Sequence, residues 1–180
     1  MRRALLLALA LSFPVAAHAG MTLSGKPKIS FFATGSPGFL DIEGVTSTAT
    51  VADDGTKLTF TVPMTSVETG IESRDEHMNE KYVEVGKYPN AVLSLARSAV
   101  QWPANVGESK TGKAAADFNI HGTSKPVEVE YTVTKSKVGF RVKAKFKFDC
   151  SQHGIAIPDY LGVTVDPKLY AEVTMDLAGA

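Results

Sequence analysis

Residues 140–148 leave this chain little freedom in what it folds into. Phe140, Val142, Ala144, Phe146 and Phe148 alternate strictly with Arg141, Lys143, Lys145 and Lys147. Successive side chains of a strand point to opposite faces, so this run has one apolar and one charged face. The same period recurs. Leu58, Phe60, Val62 and Met64 alternate with Lys57, Thr59, Thr61 and Pro63, and Ala114, Ala116, Phe118 and Ile120 with Ala115, Asp117, Asn119 and His121. Val127, Val129, Tyr131 and Val133 oppose Glu128, Glu130, Thr132 and Thr134.

Further strands are expected over 28–33, with Ile29 and Phe31 on one face, over 39–51 with a bend or bulge at Gly44, over 91–100, and over 162–177. Residues 20–25 read as a loose lead-in, and Gly35–Gly38, Asp53–Gly55, 102–113 and 150–161 as turns and loops. A hairpin centred between Ser136 and Lys137 sets Glu130 against Lys143 and Glu128 against Lys145, making the basic stripe a solvated face with acidic neighbours. The count is about eight antiparallel strands in one domain over 20–180. Closing them into a barrel removes exposed edges. Such a barrel either fills with side chains or holds one small ligand, and periodicity leaves both open.

The chain opens with Arg2 and Arg3, an apolar run from Ala4 to Ala17 and the small-residue site Ala17-His18-Ala19. That is the pattern of a secretory signal peptide over 1–19, cleaved after Ala19, and it implies export to the periplasm. The run is too short for a spanning helix, and no later segment is apolar enough, so stable membrane insertion is not expected. Loss of the leader leaves 17 basic against 19 acidic residues. A balance so near neutral argues against a nucleic-acid partner. Cys150 is the only cysteine, so no internal disulfide is available. Cys150 and His153 have a C-x-x-H spacing, but no second ligand pair follows at a zinc interval, and neither a metal nor another cofactor is inferred.

The alternation stops once, over residues 66–90. Ile71, Arg74, Asp75 and Met78 fall at helical spacing, predicting about two helical turns between the third and fourth strands. A sheet interrupted this way suggests a lid or plug over an opening. Within the stretch, Thr69-Gly70, Arg74-Asp75-x-His77-Met78 and Val85-Gly86-Lys87-Tyr88-Pro89 resemble the signature of the YceI-like polyisoprenoid-binding family. Downstream, Asn119-Ile120-His121-Gly122-Thr123-Ser124-Lys125-Pro126-Val127 is similar to a second family motif. The resemblance covers about residues 25–178. It implies a lipocalin-like eight-stranded antiparallel barrel whose apolar interior accepts a polyprenyl or similar long-chain lipid.

On that reading the protein is a binding protein and not an enzyme. The runner-up is an enzyme or redox accessory acting on a quinone-like lipid in the same cavity, beside a membrane cytochrome or another lipid-handling partner. A filled barrel acting through its surface is a third class. Candidate lining residues are Phe31, Phe60, Val62, Met64, Leu93, Leu95 and Phe118, with Ile120, Tyr131, Phe140, Val142, Phe146, Phe148 and Val173. Candidate residues for the head group or mouth are Arg74, Asp75, His77, Tyr82, Tyr88 and His121. Arg74, Asp75, His77 and His121 also have a structural reading, as anchors of the insert and of a strand end. Two departures from the family stand out. Lys28–Phe32 matches poorly, and Cys150-Ser151-Gln152-His153-Gly154-Ile155 lies where relatives carry an arginine, which favours a neutral head such as a quinone or fatty amide.

Overall fold

The computed structural model describes residues 20–36, 40–160 and 162–179. The predicted leader, and residues 37 and 38 of a predicted turn, lie outside them.

The described residues form one antiparallel sheet curled into a half-barrel, with one short helix. Its strands are β1 (Thr22–Ser36), β2 (Leu40–Thr46), β3 (Thr50–Asp53), β4 (Lys57–Pro63), β5 (Asn90–Ala96) and β6 (Ser109–Ile120). They continue with β7 (Thr123–Lys135), β8 (Gly139–Asp149), β9 (Asp159–Tyr160), β10 (Val163–Val165) and β11 (Lys168–Ala178). The hydrogen-bonded path runs β3-β4-β5-β6-β7-β8-β11-β1-β10-β9, and β2 branches from β1. The expected closed barrel of eight strands is therefore corrected to eleven strand segments and an open path. The difference arises at residues 47–49. There the predicted strand 39–51 breaks, so that β2 pairs with β1 while β3 pairs with β4. Among the described residues no ladder joins β1 to β3 or β2 to β4.

Side chains and a backbone bridge, in which Val45 and Glu68 exchange N–H···O bonds of 2.8 and 2.9 Å, close that seam instead. The carboxylate of Asp53, fully enclosed, accepts from the backbone N–H of Met21 (2.9 Å) and pairs with Arg97 Nη1 (3.1 Å). The supposed lead-in is thus part of the sheet, and Met21 is 1% exposed.

Apolar alternation located the strands well, because a half-buried sheet needs it. Register was harder. In the β7–β8 hairpin Glu130 faces Lys145 and Thr132 faces Lys143, two residues from the expected pairing. A shift of two keeps every side chain on its face, so hydrophobicity cannot detect it. Gly139 decides it. It pairs with Ala178 of β11, where a Cβ would lie 1.8 Å from the Leu177 carbonyl oxygen, so glycine belongs in the strand and the turn falls at Lys137-Val138. Glu130 still finds partners, Lys145 at 3.2 Å and Lys113 at 3.6 Å.

Gly44 marks no bulge. It stays in register opposite Phe31, and a Cβ there would sit 2.0 Å from the ring, which lies across bare backbone. The predicted strand 162–177 is two strands, β10 and β11, separated at Asp166-Pro167.

Candidate functional site

The inner face of the half-barrel and the insert between β4 and β5 enclose a cavity of about 1090 Å³, walled almost wholly by carbon. It exists because small residues stand among large ones on the inward register. Ala33, Ala91, Ala144 and Ala171 all reach the lining. Its floor lies at the end remote from the insert, where β4 begins and β7 and β11 finish. Leu58, Val133 and Leu177 seal that end, each 1% exposed. Trp102 joins them, its indole N–H donating to the Arg97 carbonyl (3.1 Å) and its ring set edge-on to Phe140.

The insert is helix α1 (Glu72–His77) followed by a π-turn over Met78–Tyr82, in which Val83 N–H donates to the Met78 carbonyl. That wider turn departs from the 3.6-residue spacing read from sequence. Ile71, Arg74, His77, Met78, Lys81 and Tyr82 reach the cavity. Ile71, 52% exposed, and Leu40 of β2, 37% exposed, line it while still open to solvent, and so form an apolar rim.

Of the predicted lining, Phe31, Phe60, Val62, Met64, Leu93 and Leu95 reach the cavity. So do Phe118, Ile120, Tyr131, Val142, Phe146, Phe148 and Val173. Phe140 does not. It has the right parity but lies at the first turn of β8, packed beneath Trp102 with Lys135 Nζ 4.1 Å from its ring centroid. Parity fixes the face of a residue, not its height along the barrel.

The predicted head-group residues divide. Arg74, His77 and Tyr82 line the cavity, whereas Asp75, Tyr88 and His121 lie off it. Asp75 Oδ1 accepts from the Thr69 backbone N–H (2.9 Å) and hydroxyl (2.5 Å), while Arg74 Nε donates to that hydroxyl (2.7 Å) and its Nη2 to the Thr69 carbonyl. The Thr-Gly…Arg-Asp spacing thus folds the entry to α1 back on itself.

His121 and Gly122 are the two central residues of the β6–β7 hairpin, both with positive φ (53° and 73°), as a type I′ turn requires. The His121 ring bridges the His153 carbonyl (Nδ1, 3.2 Å) and the Glu84 carboxylate (Nε2, 2.9 Å). Tyr88 lies against His121 at 4.4 Å and over Gly122. Glu84, at the exit of the insert, also has positive φ (50°). Left-handed backbone costs a non-glycine residue roughly 1–2 kcal/mol, so this clasp holds two strained residues in place. It bolts the insert to the sheet.

Residues that sequence reasoning missed include Lys81, Val67 and Val83 from the insert, Leu40 and Ile42 from β2, and Trp102, which fell in a predicted polar loop. A lone tryptophan in such a loop was the available signal for the last. Cys150 also faces the lining. Burial, with Asp149 close by, pushes its thiol up to about 11.

Paired surface carboxylates give stability a modest dependence on acid pH. Hydrogen bonds from Lys110 and then the Asn105 backbone hold Glu108 down at about 2. Lys87 and then His121 lower Glu84, Lys145 lowers Glu130, and Arg141 lowers Asp176. Each binds a proton more weakly folded than unfolded, so its contribution is complete above the unfolded value and lost as pH falls through the folded one. The urea midpoint should stay flat from about pH 7 to 5 and fall from about 4.5 towards 2. A midpoint unchanged down to about pH 2 would remove these pairs from the account.

Comparison with known proteins agrees with this geometry. A family described as YceI-like domain matches residues 15–178. Among solved structures, a polyisoprenoid binding domain from Saccharophagus degradans, implicated in plant cell wall breakdown, superposes with a TM-score of 0.73. It is 12% identical and the match covers 91% of this chain and 100% of that one. BcnA of Burkholderia cenocepacia gives a TM-score of 0.64 at 16% identity, over 84% of this chain and 96% of that one. At such identities the likeness is one of fold. A UPF0312 protein of Pseudomonas fluorescens is 30% identical over 102 residues, 56% of this chain and 50% of the relative. This chain thus spans about half the length of the curated relatives it matches.

Proposed function

The chain belongs to the YceI-like domain family, and from that membership and its apolar cavity we propose that it is a periplasmic carrier of an isoprenoid or similar long-chain lipid. The cavity carries the reading. Its volume of about 1090 Å³ is at the upper end of small-molecule sites, and it offers a chain almost nothing but carbon to touch. Each buried methylene contributes about 0.8 kcal/mol, so a ten-carbon stretch gains roughly 8 kcal/mol before the cost of immobilising it. The related domain from Saccharophagus degradans is a polyisoprenoid binding domain, which supports this ligand class. The leader pattern of residues 1–19 supports export.

Carriage fits the state of His121, His153 and Cys150. The rings of His121 and His153 are tied to the fold, His153 Nδ1 donating to the Thr123 carbonyl (2.9 Å). The Cys150 thiol stays protonated at neutral pH.

The test is an organic extract of the protein purified from periplasm without detergent, analysed by mass spectrometry. About one long-chain lipid per chain is expected. An extract free of lipid, from a protein that also takes up no added hexadecan-1-ol or farnesol, overturns the reading.

A further inference from the structure

Charge on the insert is sorted by face. Glu72, Glu76 and Glu80 recur every four residues and are exposed, whereas Arg74, half-buried, and His77 and Lys81, exposed at the mouth, also reach the cavity lining, at intervals of three and four. Among the described residues none of the latter three is within ion-pair distance of a carboxylate. Arg74 uses two donors on Thr69, which leaves three of its five N–H groups free. Lys81 Nζ has only the ring of its neighbour Tyr82, 5.5 Å from the centroid. The one carboxylate among the described lining residues, Asp159, accepts from Thr164 Oγ1 (2.6 Å) within the β9–β10 hairpin.

An exposed ammonium and a half-buried guanidinium at the edge of an apolar cavity, with no counter-charge of their own, make a half-completed ion pair. We propose that the lipid is an anionic amphiphile, its chain in the cavity and a carboxylate or phosphate head at the mouth, held by Lys81 and His77 with Arg74 alongside. This rests on the carrier reading. It reverses the expectation of a neutral head drawn from Cys150–Ile155, since the positive charge absent from that loop stands on the insert.

Delipidated mature protein is titrated with hexadecanoic acid, hexadecyl phosphate and hexadecan-1-ol, which share a chain and differ in the head. Both anions should bind about tenfold or more tighter than the alcohol at low salt, and the margin should shrink at high salt. In the Lys81→Gln/His77→Gln variant the margin should shrink about threefold or more while the alcohol's affinity is unchanged. The ratio of phosphate to carboxylate affinity then says which anion the mouth prefers. Equal affinity for alcohol and anions, or a margin that is undiminished in the variant or ignores salt, overturns the anionic head and leaves the carrier standing. Failure of all three to bind overturns the carrier, and the head-group inference with it.

Discussion

Ala144→Trp is expected to empty the cavity of long-chain ligand while leaving the sheet folded. Ala144 stands in the middle of β8, with Tyr131 of β7 and Val173 of β11 directly across its two ladders, and all three reach the lining. An indole placed there projects into open space, so the usual penalty for overpacking a filled core does not arise. Displacing some four methylenes costs the ligand about 3 kcal/mol, roughly two orders of magnitude in Kd. Titration with hexadecan-1-ol measures it. Ala115→Trp, on the exposed face of β6, is the control and should bind like the parent. If Ala144→Trp retains parental affinity, the ligand lies somewhere other than this cavity.

The largest effect on stability is expected at the seam. Asp53→Ala removes the acceptor of the Met21 N–H and the partner of Arg97, and also the acceptor of the Gly55 N–H (2.9 Å). Arg97 then remains three-quarters enclosed with its charge unanswered. Breaking such a pair from one side costs about 3 kcal/mol or more, which lowers Tm by roughly 6–12 °C in a chain of this size. Arg141→Ala, at an exposed pair with Asp176, should lower Tm little, because water screens that pair. A Tm loss for Asp53→Ala no larger than that for Arg141→Ala would mean that the seam bears no such load.

Much of the sheet was readable from sequence because each central strand buries one face and wets the other. Strands β4, β6, β7 and β8 show it, and thirteen of the fourteen lining positions inferred from that alternation reach the cavity. What alternation leaves out is position along and between strands. Phe140 has the parity of Val142 and a different neighbour. The β7–β8 turn slid by a distance that parity cannot register. The switch at residues 47–49, where one run serves two partners, is a tertiary event with no local signature. The mouth was legible as a stretch, from the break in alternation over 66–90, but not residue by residue. Asp75 and His121 carry chemistry that would suit a ligand, and both spend it on Thr69 and Glu84, partners that only the folded chain brings near.

A hoop of strands has its girth dictated by strand number and stagger, whereas a ribbon bent round on itself does not. Because β2 and β3 hand over between neighbours without a continuous ladder, widening the wall beside the insert would break a few side-chain bonds and the Val45–Glu68 bridge while leaving the ladders on either side whole. On the carrier reading, such a wall suits slender and branched tails alike.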